Sequence, residues 1–215
     1  PKKALSCNSL PTKTGIFDFL LNIQKVLGVT KQDLMELWDK NIQTKMPRLS
    51  SAIVELNEIR SGLGSGTIEW TKQVILMKRL RGIVSKFSKS EPDLITIEIN
   101  RFVEAFCCTV KNLRSKIHIE IFSTLSYIAY CLGDKFGLLL EKILPEVLTI
   151  FSTSSLPSIS SAASGIELIF KFCQNPKTLN CLNENIKNNK SVPIRRKCSS
   201  FILEIFEHWE DRKLL

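Results

Sequence analysis

Residues 117–151 read IHIEIFSTLSYIAYCLGDKFGLLLEKILPEVLTIF, two apolar runs separated by the break Gly133-Asp134-Lys135. The first, Ile117 to Leu132, reads as a helix and stops at a glycine, the residue that most readily makes the backbone turn closing a helix. The second, Phe136 to Phe151, is again helical, and Pro145 inside it should bend it. Neither run can span a bilayer: Leu125 to Leu132 is too short, and the second run carries Glu141, Lys142 and Glu146.

The same plan continues in both directions. Towards the C-terminus, the Ser/Thr/Pro-rich Ser152 to Ser161 reads as a loop within the domain, because Ala162 to Phe172 resumes helical spacing at once. Pro176 to about Asn185 is a short helix, Asn188 to Pro193 a polar turn, and Ile194 to Trp209 a last helix with Phe201, Ile202, Ile205 and Phe206 apolar. Towards the N-terminus, Pro92 suits the first turn of a helix that runs to Val110 and buries Ile95, Ile99, Phe102, Val103 and Phe106, with Lys111 to Lys116 as the turn after it. Ahead of it lie a helix over Ser50 to Ser61, the flexible link Gly62-Leu63-Gly64-Ser65-Gly66, and a helix over Glu69 to Phe87. Ile16 to Leu27, stopped by Gly28, and Lys31 to about Lys45, capped by Thr30 with Leu34, Leu37 and Trp38 on one face, make a further hairpin over residues 16–46. Residues 1–14 are polar, lack periodicity and are expected to be a flexible lead-in.

The expected total is ten helices in five hairpins, and no stretch shows the period-two alternation of a strand. Short polar turns recur at roughly 35–45 residues, the interval of HEAT-type repeats. The predicted fold is therefore all-α, an α-solenoid of antiparallel helical hairpins forming a single domain over 15–215. In such a stack the turns joining the two helices of each hairpin line up along one edge, which is the natural binding surface.

Composition supports this. The chain of 215 residues is 44% hydrophobic, enough to bury a continuous core without disulfides or metals. Thirty Lys and Arg against 21 Asp and Glu give a net charge of +9, which suits an acidic partner. The seven cysteines form no Cys-x-x-Cys pair and sit mostly among apolar residues, the usage of a reducing, intracellular setting. The chain opens Pro1-Lys2-Lys3 without Met or an apolar signal segment, and is read as an excised fragment with no signal peptide.

Catalytic chemistry finds no support in these residues. His118 and His208 are far apart in sequence, and neither has a Cys or carboxylate at metal-ligand spacing, so no metal site is assigned. Cys107 and Cys108 are adjacent and cannot present both thiols on one helical face. The glycine-rich link has no preceding strand and no Gly-Lys-Ser/Thr ending, so it is a turn and not a phosphate cradle. The serines lack a histidine partner for nucleophilic attack. No enzyme activity and no cofactor are expected. A nucleic-acid groove needs base-stacking aromatics beside its cations, and Tyr127 and Tyr130 lie in an apolar helix instead.

Three basic segments stand out: Lys72, Lys78, Arg79 and Arg81 in one helix; Lys111, Arg114 and Lys116; and Lys190, Arg195, Arg196 and Lys197. The last two groups straddle turns, and cations at a helix start oppose its dipole, a cost that makes a binding role worth considering. Trp70 opens the helix after the glycine-rich link, where it could tuck into the hairpin or project from the edge. Trp38 and Trp209 lie in longer apolar stretches and are core candidates.

The stretches Ile68-Glu69-Trp70-Thr71-Lys72, Lys78-Arg79-Leu80-Arg81, Asn112-Leu113-Arg114-Ser115-Lys116, Leu132-Gly133-Asp134-Lys135-Phe136 and Lys190-Ser191-Val192-Pro193-Ile194-Arg195-Arg196-Lys197-Cys198 resemble, in order and spacing, TOG domains of the CLASP family of microtubule regulators. Crescerin-type TOG domains are similar around Leu113 to Lys116 and Arg196 to Cys198. The resemblance covers residues 49–213 and implies a HEAT-repeat paddle that binds the tubulin heterodimer or the microtubule lattice through its intra-repeat turns. It places a tubulin-contacting Trp at Trp70 with Lys72 beside it, Arg114 and Lys116 in the second turn, Ser158 to Ser161 in the third, and Lys190, Arg195 and Arg196 in the fourth. It further implies a cytoplasmic, microtubule-associated protein that regulates microtubule dynamics, including those of the spindle. Two departures stand: the chain stops where the family continues with further repeats, and the hairpin over 16–46 has no counterpart in the match. The rival expectation is a HEAT-repeat scaffold for another acidic protein, without affinity for tubulin.

Overall fold

The computed structural model describes residues 28–38 and 48–209. The lead-in 1–14 and the helix expected over Ile16 to Leu27 fall outside the described residues. In chain order the elements are α1 (Lys31–Glu36), α2 (Leu49–Gly64), α3 (Trp70–Phe87), α4 (Pro92–Asn100), α5 (Val103–Val110), α6 (Ser115–Leu132), a 3₁₀ turn (Gly133–Phe136), α7 (Gly137–Thr153), α8 (Leu156–Phe172), α9 (Lys177–Asn188) and α10 (Val192–His208). No strand occurs among the described residues.

Among the described residues four antiparallel hairpins result: α2 with α3, α4 and α5 with α6, α7 with α8, and α9 with α10. First helices stack on first helices (α2 on α5, α5 on α7, α7 on α9) and second on second (α3 on α6, α6 on α8, α8 on α10), giving two layers with one core between them. This is the expected all-α, HEAT-like solenoid. Its centre is α6, whose Ile117, Ile121, Phe122, Leu125 and Ile128 are all fully buried. The close approach of α6 to α8 depends on Gly165: a Cβ there would come within 2.7 Å of the Phe122 Cβ.

The structure shifts several expected boundaries. The helix predicted from Pro92 to Val110 is two helices, because Arg101 and Phe102 donate their backbone N–H groups to Glu98 and Ile99, three residues back, tightening the chain by one turn. The Gly62–Gly66 link is mostly helix, since α2 runs through Gly64, and the loop expected over Ser152 to Ser161 shrinks to residues 154–155. Pro145 lies on the exposed side of α7, where the unmet carbonyl can face water, and the helix passes through it without ending. Helix α1 is capped as predicted: Thr30 Oγ1 accepts from the Asp33 N–H while Asp33 Oδ2 accepts from the Thr30 N–H, at 3.2 and 2.8 Å. Within the described residues it ends at Glu36, and its main partners are α6 and α8 of the second-helix layer. No described helix is long and apolar enough to cross a membrane.

Candidate functional site

The alternation of antiparallel helices sends residues 65–69, 111–114, 154–155 and 189–191, the turns inside each hairpin, to one edge of the stack. The turns between hairpins go to the other edge, where Asp134 Oδ1 accepts from the Gln174 N–H at 2.8 Å and the Asn175 amide donates to the Gly137 carbonyl at 2.9 Å. The first rim carries most of the residues singled out from the sequence.

Trp70 is the first residue of α3 and is half-buried, one side of its indole on the core and the other on the rim. Lys116 in the first turn of α6 lies over that indole, its ammonium 5.3 Å from the ring centroid. The Asn112 amide donates to Gln73 at 3.4 Å, so the first and second turns are tied together. Lys72, Arg114 and Lys116 are exposed and have no carboxylate partner among the described residues. The second turn itself is braced by hydrogen bonds from within. His118, almost fully buried, meets the Val110 carbonyl through Nε2 at 2.9 Å, and Asn112 Oδ1 accepts from the Arg114 N–H at 3.0 Å. Burial holds the imidazole below its usual pKa, so the ring is kept neutral.

At the fourth turn Lys190 and Arg196 are exposed, but Arg195 is half-buried and bends back to donate from Nη1 to the Asn189 and Lys190 carbonyls, at 2.7 and 3.2 Å. Its charge is largely committed to closing the turn. The third turn differs from expectation. Ser158 and Ser161 lie inside α8 and are buried, where their hydroxyls bond locally, because α8 begins earlier than its composition suggests.

The basic segment of α3 also divides. Arg81 is wholly buried, pairing with Glu120 at 2.7 Å and donating to Thr124 at 2.7 Å, and Arg79 pairs with Glu55 at 2.6 Å. Lys111 pairs with Glu146 and Lys197 with Glu167. These four cations tie neighbouring helices together, whereas Lys72, Arg114, Lys116, Lys190 and Arg196 make no ion pair among the described residues.

Sequence reasoning missed an apolar row on the same rim. Leu113, Leu156 and Val192 stand at the second, third and fourth turns with 95%, 57% and 51% exposure. With Trp70 they put one apolar side chain at each turn. The available signal was their position: each falls at or next to a helix start, off the face that its helix turns to the core. Leu113 is thrust out by the Asn112 turn beneath it.

Burial pushes the Cys198 thiol up to about 11 and raises Cys107, Cys131 and Cys181, which keeps them protonated and poorly nucleophilic. Contrary to the expected lack of carboxylates near either histidine, Glu204, Glu207 and His208 place ligand atoms within 4.8 Å of one another on α10. Glu204 is committed to Lys31 at 2.6 Å, however, and the group is largely exposed, as acidic surface clusters commonly are.

No protein-family model matches the chain. It is 27% identical over 159 residues to CLIP-associating protein 1 of Xenopus tropicalis, a match that takes in 74% of this chain and 11% of that protein. CLIP-associating protein of Drosophila melanogaster is 22% identical over 147 residues, covering 68% of this chain and 10% of its own length. Protein CLASP-2 of Caenorhabditis briggsae is 21% identical over 185 residues, 86% of this chain and 23% of that protein. The chain is thus similar to CLASP proteins at modest identity over most of its length, and spans a small part of theirs.

Proposed function

We propose that the chain is a TOG-type domain of the CLASP family, and that its rim of intra-hairpin turns binds tubulin, as free heterodimer or microtubule lattice, to regulate microtubule dynamics without catalysis. The observation that carries the reading is the pairing of Trp70 with Lys116 on a rim where Lys72, Arg114, Lys190 and Arg196 face solvent without carboxylate partners among the described residues. An interface of this make-up places an aromatic anchor in a ring of charge: the indole supplies contact energy and the cations steer an acidic partner into register. The apolar residues of the other turns extend the anchor along the rim. Similarity to CLASP proteins supports the same target.

Trp70→Glu, assayed by co-sedimentation with stabilised microtubules and by gel filtration with free tubulin, is expected to abolish both associations while circular dichroism stays native. Undiminished binding by a folded Trp70→Glu variant would remove tubulin as the rim's ligand. Binding by neither the parent nor the variant would leave the scaffold reading, with another acidic protein on the same rim.

A further inference from the structure

Residues 28–38 occupy a groove on the broad face of the second-helix layer, running from the first turns of α8 to the last turns of α6. The groove grips this segment mainly by its backbone. The Val29 N–H donates to Ser160 Oγ at 2.8 Å, and the Val29, Leu34 and Leu37 carbonyls accept from Ser164 Oγ, Ser123 Oγ and Arg81 Nη2 at 2.9, 2.9 and 3.2 Å. Gly28, at φ 105°, lies so close to α8 that a Cβ there would clash with the Ser160 side chain.

Three side chains fill separate subsites. Lys31 sits between Glu167 and Glu204, at 3.2 and 2.6 Å. Leu34 is fully buried. Trp38 donates its indole N–H to the Ser123 carbonyl at 3.1 Å, stacks on Tyr130 at 5.2 Å and meets Tyr127 edge-on at 5.5 Å. Anchors at i, i+3 and i+7 are how a helical peptide ligand is held in a groove, and the backbone bonds at Val29 and Leu37 hold the two ends that flank the helix.

Two further facts distinguish this contact from the packing between hairpins. Helix α1 has six residues, too few to be stable alone, so the groove imposes its form. The groove walls are hydroxyls, an arginine and carboxylates, groups that water can satisfy when the segment leaves, beside Tyr127 and Phe172 with the exposed Tyr130 at the edge. The core between the two layers has no such open state. Ordering eleven residues opposes the contacts that hold them, the balance that an exchangeable segment requires.

We propose that the α6–α8 groove is a peptide-binding site in its own right, filled in cis by residues 28–38, and that a partner protein's short helix with lysine, leucine and tryptophan at the spacing of Lys31, Leu34 and Trp38 can displace them. The acidic pair Glu167 and Glu204 selects the cation, Ser123 with the tyrosines selects the indole, and the site lies on the broad face, reaching the rim only at its Gly28 end. The domain can thereby hold two partners at once.

The test uses the full chain and a fluorescent peptide of residues 28–38. A tethered segment competes at roughly millimolar effective concentration, so the intact chain should bind the peptide at least about tenfold more weakly than a Leu34→Asp chain, whose own segment cannot seat. A peptide with Lys31→Glu should lose binding to that chain, and the Glu204→Lys substitution in the chain should restore it. Because Leu34→Asp could perturb folding, a second chain carries a specific protease site inserted between residues 39 and 47. Once cut, it should exchange its segment for the labelled peptide with native circular dichroism. Absence of saturable binding to folded Leu34→Asp chain, or a cut chain that keeps its segment or unfolds on losing it, would make residues 28–38 a part of the core and overturn the proposal. Concentration-dependent dimerisation of the unmodified chain, traced to exchange of this segment between copies, would overturn the assignment to a foreign partner.

Discussion

Leu113→Ser separates the rim's binding role from the fold. Leu113 is 95% exposed at the tip of the second turn, which is held from below by the Asn112 and His118 hydrogen bonds and not by the leucine. Losing so exposed a side chain should change unfolding free energy by no more than about 0.5 kcal/mol. If the rim seats on tubulin, the same side chain passes from nearly full exposure into a contact. Burying a leucine contributes roughly 1.5–3 kcal/mol, so losing it should raise the Kd for tubulin roughly 10- to 150-fold. Affinity is read by fluorescence anisotropy at fixed ionic strength and stability by urea titration of the same preparation. A Kd within twofold of the parent would refute the seating of the second turn on tubulin. A large drop in stability would refute the structural premise that this leucine carries no packing.

The neighbouring arginines of α10 should behave differently: Arg196→Ala should weaken tubulin binding with unchanged urea midpoint and a shallower salt dependence, whereas Arg195→Ala should lower the midpoint, because it leaves the Asn189 and Lys190 carbonyls without their donor. Glu120→Ala, which strands the buried Arg81 guanidinium, should cost about 3–5 kcal/mol in urea unfolding, and Arg81→Met combined with Glu120→Leu should recover most of it; a double variant as unstable as the single would contradict the pairing. His118 has its folded pKa below the unfolded value of about 6.5 because burial penalises the charged ring, so the unfolded chain binds more protons in that window. Its contribution is complete above that value and is lost as pH falls through the folded pKa. The urea midpoint should therefore drop between pH 7 and pH 5, and His118→Gln should flatten the drop.

Local pattern was enough for the solenoid. The helical runs, the stop at Gly133 and the Thr30 cap depend on near neighbours in sequence. The break at Arg101 and Phe102 left no trace, because the apolar positions run on through it in phase. Residues 28–38 were misleading for a different reason. Leu34, Leu37 and Trp38 make an acceptable amphipathic face, but the surface they meet comes from residues 81, 123, 160 and 167, far away along the chain. Charge was the least legible property. Arg81 and Arg196 look alike in a list of basic residues, yet one is covered by residues 28–38 and paired with a carboxylate while the other faces solvent.

That difference decides how the net charge of +9 can act. A cation paired at contact distance has its field largely cancelled within a few ångströms, so Arg79, Arg81, Lys111 and Lys197 add little to the potential felt by an approaching partner. Lys72, Arg114, Lys116, Lys190 and Arg196 keep theirs, and the stacking of hairpins gathers them along one edge. Glu69, exposed ahead of Trp70, is a rim acid that tempers this field. The Asn112–Gln73 bond, the Lys116–Trp70 contact and the His118 anchor fix the first two turns before any partner arrives. Binding there needs little ordering, so contact energy at the indole is not offset by the entropy of closing two loops. Releasing the second turn by His118→Ala should therefore weaken tubulin binding through the dissociation of a less ordered rim and also lower stability. Arg114→Ala should weaken it mainly through association rate, with a marked loss of salt sensitivity and no change in the urea midpoint. Stopped-flow association at two ionic strengths distinguishes the two, and equal effects of both substitutions on association rate would show that the turn is not organised in advance.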